Sequence, residues 1–180
     1  MNKSTKIASI LLLLTFFAQN VVAEPEADQL TVGQSFPIYK FEDPFGKPQV
    51  IKDDTKFVLI SFEMELSKSM HTWLSEKDAD FLEKHNVQYI ADITEMPAII
   101  SYLFGKPKMR KYKFPILLAD DENFEKRFPK EEGKFVVFKL GENKEIEDVT
   151  FFSDMESLSA KYLSEDKDTK PAAEETTDKS

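Results

Sequence analysis

Phe57-Val58-Leu59-Ile60-Ser61-Phe62 is apolar at every position but one. A strand with one wet face alternates apolar and polar residues, whereas a strand covered on both faces does not. This run is therefore expected at the centre of a parallel sheet, with a packed layer on each side.

The flanking patterns supply those layers. Phe36 to Phe41 alternates and suits a first strand, Asp43 to Lys47 reads as a turn, and Gln49 to Ile51 as a second short strand. After Phe62, Ser67 or Ser69 can cap a helix with Met70, Trp73, Leu74, Phe81 and Leu82 inward and a break near Asp78. Val87 to Ala91 is the next strand. Met96, Ile99, Ile100, Leu103 and Phe104 follow helical spacing, so this stripe is expected to face the core, with Gly105 and Pro107 ending the helix. Phe114 to Ala119, then Phe135 to Leu140 and Ile146 to Phe152, give a strand and a hairpin. Ser153-Asp154-Met155-Glu156 is a capping-box signature for a last helix carrying Met155, Leu158 and Tyr162. The sum is an α/β chain: a mixed central sheet, helices on both faces, and a C-terminal hairpin plus helix.

The ends read differently. Lys3 and Lys6 precede an apolar run from Ile7 to Ala18 and a small-residue site at Val21-Val22-Ala23, the pattern of a secretory signal peptide cleaved after Ala23. A periplasmic or secreted location is the expectation. The run is too short to span a bilayer comfortably, so no stable membrane insertion is expected once it is removed. Residues 24–31 read as a flexible leader, 32–163 as the domain, and 164–180 as an acidic tail without large apolar side chains, expected to be disordered. With 33 acidic against 24 basic residues, the chain is a poor candidate for nucleic-acid binding. It has no cysteine, so core packing alone must hold it together.

The order of these elements resembles the thioredoxin-like superfamily, in its redoxin or peroxiredoxin branch. Val32-Gly33-Gln34-Ser35-Phe36-Pro37 is similar to the opening of those proteins, and Phe41 to Lys47 to their L-D-x-x-G-K turn. Phe57 to Phe62 is similar to the strand before their reactive turn, and Phe114-Pro115-Ile116-Leu117-Leu118 to the segment with their cis-proline or F-P-L-L-S-D motif. The resemblance implies a three-layer thioredoxin-like sandwich over 32–163 and makes Pro115 a candidate cis-proline. It also places Ser67-Lys68-Ser69-Met70 where the family carries Cys or Cys-x-x-Cys. Serine has neither the acidity nor the redox chemistry of a thiol, so thiol-disulfide exchange and Cys-peroxidase activity are excluded and no catalytic residue carries over.

Ala91 to Pro97 and Lys108 to Tyr112 also resemble phrases in small exported, periplasmic bacterial proteins, some of which carry a flavin-dehydrogenase name. The glycines here, at 33, 46, 105, 133 and 141, cannot write Gly-x-Gly-x-x-Gly.

Three constellations remain. Ser67 and His71, one helical turn apart and preceded by Glu63 and Glu65, could form a hydrolytic pair, or be a cap and a surface histidine. His71 and His85 are the only histidines; with Glu63 or Glu65 one could ligate a metal, but the spacing is a weak ligand pattern. Lys106, Lys108, Arg110, Lys111 and Lys113 make a basic stretch in an acidic chain, expected as a loop. It could meet an anionic ligand, an acidic partner protein or lipid headgroups, or simply pair with Asp120, Asp121, Glu131 and Glu132.

The sequence thus points to a non-catalytic binding protein with no cofactor and no metal. Its partner would be a protein or a small anionic ligand, met at Glu65 to Met70, Lys113 to Pro115 and the basic stretch. A flavin-dependent oxidoreductase or Ser-His hydrolase is the alternative.

Overall fold

The computed structural model describes residues 29–163. The expected signal peptide, most of the leader and the tail lie outside the described residues. Within them, β3 (Phe57–Ser61) is an interior strand, next to the middle one, of a seven-stranded mixed sheet in the order β2-β1-β5-β4-β3-β6-β7. It runs parallel to β4 (Val87–Asp92), which runs parallel to β5 (Leu117–Ala119). The hairpin β6 (Phe135–Leu140) and β7 (Ile146–Phe152) adds antiparallel to β3 on one side. The pair β1 (Phe41–Glu42) and β2 (Pro48–Gln49) adds antiparallel to β5 on the other.

The first strand is shorter than its alternation suggests. Pro37 has no N–H to give a ladder, and only Phe41 and Glu42 pair. Residues 37–41 still alternate, with Ile38 92% exposed and Phe41 buried, while Phe36, two residues before Ile38, is buried out of that register. The turn after β1 closes as expected, with Asp43 Oδ1 accepting from the Phe45 and Lys47 amides and Gly46 at φ +78°.

One sheet face carries α1 (Met64–Ser75), α2 (Phe81–Lys84) and α6 (Met155–Leu158), which bury Met70, Leu74, Leu82, Met155 and Leu158. The opposite face holds Val58, Ile60 and Ile90, against one short helix, α5 (Phe124–Arg127), and the extended segment around Phe36. Here a phenylalanine cluster takes the place of a second full helix. Phe36, Phe124, Phe128 and Phe138 pack with ring centroids 4.4–5.7 Å apart in their closest pairs. Each fully buried aromatic contributes roughly 1.5–3 kcal/mol, which matters in a chain that cannot form disulfides. Leu30, counted above with the leader, belongs to this core and donates its N–H to the Arg127 carbonyl at 2.9 Å.

The largest departure lies between β4 and β5. The helix there does not stop at Gly105: α3 (Ala98–Ile100) passes through a π-helical turn (Ser101–Gly105) into α4 (Lys106–Met109). The Lys106 amide reaches back to the Ser101 carbonyl, and the next residue, Pro107, sits in the first turn of α4, where its missing N–H costs little. The first half of the basic stretch, with Lys106 and Lys108, is therefore helical rather than a loop, and Arg110, Lys111 and Lys113 follow in the turn after it. The apolar stripe also faces outward: Ile99, Ile100, Leu103 and Phe104 are exposed, and Ser101 is the buried residue of the π turn. The last helix is capped one residue later than the Ser153 signature suggests. Asp154 has extended backbone angles and accepts from the Ser157 amide at 2.7 Å.

Candidate functional site

At the carboxyl ends of β3 and β4, where parallel sheets commonly place their sites, a cleft of about 230 Å³ opens. One wall is α1, which contributes Met64, Ser67, Lys68 and His71 at helical spacing; the other is the run 96–112, with Met96, Lys108, Met109 and Tyr112.

The expected reactive turn lies inside α1. Neither Ser67 nor Ser69 caps it. The helix starts at Met64 behind Glu63, whose side chain caps nothing and instead accepts from the Gly133 amide at 2.7 Å. Ser67 ends the first turn, its amide bonded to the Glu63 carbonyl. Met70 is fully buried, Ser69 is exposed, and Lys68 pairs with Glu65 at 2.6 Å. Only Ser67 of the four turns a polar group toward the sheet.

There it joins a buried hydroxyl chain. Ser67 Oγ lies 2.8 Å from Ser61 Oγ, which lies 2.9 Å from the Tyr89 hydroxyl. Tyr89 in turn lies 3.4 Å from His71 Nε2. The His71 ring therefore bonds Tyr89 rather than Ser67, and the direct Ser-His pair of a hydrolase is not assembled. Burial, and then the Lys108 ammonium, pull His71 down to about 4, so its imidazole is neutral near pH 7. Burial likewise pushes the Tyr89 phenol up to about 12. The Tyr112 ring leans against His71 at 4.6 Å and 50° and stacks on Phe114 at 5.1 Å, closing the cleft's inner end with aromatic rings.

The basic residues divide into two groups. Lys106 Nζ pairs with Glu42 at 3.1 Å, and Arg110 Nε donates to the Pro44 carbonyl at 2.9 Å, so both tie the helix to the β1–β2 turn. Those partners differ from the carboxylates considered from sequence: Asp121 accepts from the Tyr39 hydroxyl, and Glu131 pairs with Lys134. Lys108, Lys111 and Lys113 are exposed. Lys108 reaches the cleft rim, whereas Lys113 does not line the cleft. Pro115 lines a second cavity, of about 270 Å³, beyond Tyr112. Its peptide bond is trans, which corrects the cis expectation.

His85 stands apart from His71, just after the end of α2, with Nδ1 2.8 Å from the Phe81 carbonyl and its ring against Phe81. Among the described residues, no group of three or more His, Cys, Asp or Glu side chains converges as metal ligands.

No protein-family model matches this chain, and no curated protein matches it in sequence. Solved structures do match in shape. A peroxiredoxin-like protein from Aquifex aeolicus superposes with a TM-score of 0.51 at 8% identity, covering 77% of this chain and 89% of its own. Peroxidoxin BcpB from Mycobacterium tuberculosis gives 0.50 at 15%, covering 75% and 95%. The thioredoxin domain of a thiol-disulfide oxidoreductase from Bacteroides vulgatus gives 0.50 at 12%, covering 76% and 100%. The fold is thioredoxin-like.

Within this thioredoxin-like fold, the cleft borders Ser67 to Met70, the segment expected from the resemblance at the position of a reactive cysteine, and the chain contains no cysteine. Sequence reasoning found Ser67, His71 and Lys108 but missed Ser61, Tyr89 and the three methionines of the walls. Ser61 carried a visible signal, as the one polar residue of its strand. Tyr89 and Met109 carried none, because aromatic and sulfur side chains serve cores and clefts alike.

Proposed function

We propose that this is an exported thioredoxin-fold protein that binds rather than catalyses, using the cleft between α1 and the run 96–112. One observation carries the reading: the Ser67 hydroxyl is bonded into the Ser61–Tyr89 chain, beside a neutral His71 that bonds elsewhere. The site has no thiol and no activated serine, yet its cleft is open. Its walls suit an apolar body, with Met64, Met96 and Met109 able to adapt to shape. Lys108 at the rim suits an anionic end. Asp92, also on the cleft, is turned to its own backbone and accepts from the Thr94 amide at 2.8 Å. The ligand class is thus a small anionic molecule with an apolar body, and an acidic, apolar segment of a partner protein presents the same chemistry. The leader pattern supports export, and a mature N-terminus at Glu24 by mass spectrometry is the expected result.

Octanoate serves as the probe. Titration should shift the His71 and Tyr112 ring resonances in NMR spectra, and Lys108→Ala should weaken binding several-fold. Shifts confined to other parts of the protein would remove the cleft from this role. Ester hydrolysis by the wild type should not exceed that of Ser67→Ala; a clear excess would favour the hydrolase instead.

A further inference from the structure

We infer that the segment 98–113, helical to Met109, is a membrane-surface anchor, its apolar turn entering an anionic bilayer and the cations behind it meeting lipid phosphates. This goes beyond the cleft and shares only Lys108 with it.

The segment combines three features. Ile99, Tyr102 and Phe104 are 66%, 72% and 66% exposed, and Ile100 and Leu103 are exposed with them. Large apolar side chains concentrated this densely on a surface mark an interaction site rather than chance exposure. Secondly, the stretch 96–113 contains no Asp or Glu, although the chain has 33. Lys108, Arg110, Lys111 and Lys113 follow the apolar turn directly and are exposed. Thirdly, the exposed apolar residues are not confined to one stripe. At 3.6 residues per turn they span roughly 200° of the helix, with Ser101 on the inward side.

That convex shape, together with the charge, selects the occupant. A flat protein surface touches one side of a helix, whereas a bilayer interface deforms around a protruding turn. The centres of the apolar and basic groups are about nine residues apart, or about 13 Å at a helical 1.5 Å per residue. Interfacial helices bury apolar groups about 5–10 Å deep, so insertion of the apolar turn leaves the lysines at headgroup level. The chain as a whole is acidic, with a net charge of −9 that already includes this segment's cations, so the remainder is repelled by an anionic surface. The attraction is local, so it also fixes the orientation, with this edge of the sheet toward the lipid.

Flotation of the full chain with vesicles tests the inference. The wild type should float with vesicles of phosphatidylcholine mixed with phosphatidylglycerol, remain behind with phosphatidylcholine alone, and detach as salt is raised. Leu103→Glu with Phe104→Glu should lower partitioning at least about tenfold, as should Lys111→Glu with Lys113→Glu at low salt. All four positions are exposed, and unchanged circular dichroism confirms folding; Tyr102→Ser is the milder variant if the double change unfolds. Octanoate binding in the cleft should survive these changes, which separates the two readings. No flotation with anionic vesicles at low salt would overturn the inference, as would flotation indifferent to Leu103 and Phe104. A dimer in sedimentation equilibrium that the Leu103 and Phe104 changes dissolve, without lipid binding, would assign the turn to self-association instead.

Discussion

Ser61, at the end of β3, and Tyr89, in the middle of β4, share a hydrogen bond of 2.9 Å in a part of the core that water does not reach. The two strands are paired in parallel, so these polar atoms are locked together by backbone register as well as by their own contact. Around them every buried side-chain polar atom among the described residues has a partner. A fully satisfied buried network supports a unique packing, and a broken one is expensive.

Removing the two partners should therefore cost unequal amounts. Tyr89→Phe leaves Ser61 bonded to Ser67, and should destabilise by about 1 kcal/mol. Ser61→Ala leaves the buried phenol with its 3.4 Å contact to His71 and the neighbouring Ser67 hydroxyl, and should cost about 1–3 kcal/mol. The double variant should cost less than the sum, since the second change removes a group already orphaned. Urea denaturation of the four proteins measures this. Strict additivity would mean that the hydroxyls act independently.

The depressed His71 sets a pH dependence with a definite sign. Its folded value is about 4 against an ordinary 6.5, so the unfolded chain takes up the proton first. The stability is fully present above 6.5 and is lost progressively as pH falls toward 4. The loss is bounded at about 3 kcal/mol by linkage. Lys108 contributes to the depression, whereas Tyr89 and Tyr112, the other ionisable groups against the ring, are neutral through this range. His71→Phe should flatten stability over this window. Lys108→Ala should raise the histidine's titration midpoint in NMR. Asp148, pulled down from 3.8 to about 2 chiefly by its bond from Tyr162, acts in a lower window, whereas burial raises Asp92 so that it contributes with the opposite sign; the difference between wild type and His71→Phe isolates the histidine.

Lys106 and Arg110 should behave as tethers. Arg110→Ala removes the bond to the Pro44 carbonyl and the contact with the Phe45 ring. Glu42→Gln weakens a partly exposed ion pair and should cost less than about 1 kcal/mol. Neither change should alter the sheet. Both should speed amide exchange in 106–112 relative to β3 and β4, and the double variant more than either. Unchanged exchange would mean that packing of Met109 and Tyr112 alone holds the helix.

The central sheet was legible because its signal is one-dimensional. Phe57 to Phe62 can only be a strand covered twice, and the hairpin around 141–145 follows from two β-rich runs with turn residues between them. Ser67 misled as a cap because Glu63, chosen by a distant contact with Gly133, starts the helix earlier. Helical spacing correctly places Ile99, Ile100, Leu103 and Phe104 together, but spacing is blind to whether that side meets a core or solvent. Gly105 and Pro107 are ordinary stop signals, and the π turn that absorbs them depends on the Ser101 carbonyl reaching five residues ahead. The cleft was legible only in part, because Met96 and Met109 meet Ser67 and His71 through tertiary packing that no local pattern records.

Gly105 offers a test of the cleft that does not touch its polar groups. Its backbone angles are helical, at φ −63°, so glycine is not needed for conformation. Alanine there should gain about 0.5–1 kcal/mol of helix propensity. A Cβ at this position, however, would sit 2.8 Å from the Met96 sulfur, which must move. The sulfur is the flexible end of its side chain, so the move offsets part of that gain and leaves stability within about 1 kcal/mol of the wild type. Met96 lines the cleft, and its displacement should change the space available to an apolar body. Gly105→Ala is thus expected to fold normally by thermal denaturation, yet to weaken octanoate binding several-fold. Equal weakening in Met96→Ala would show that bulk at this wall, rather than its shape, sets the affinity. Full retention of binding in both variants would place the ligand elsewhere on the molecule.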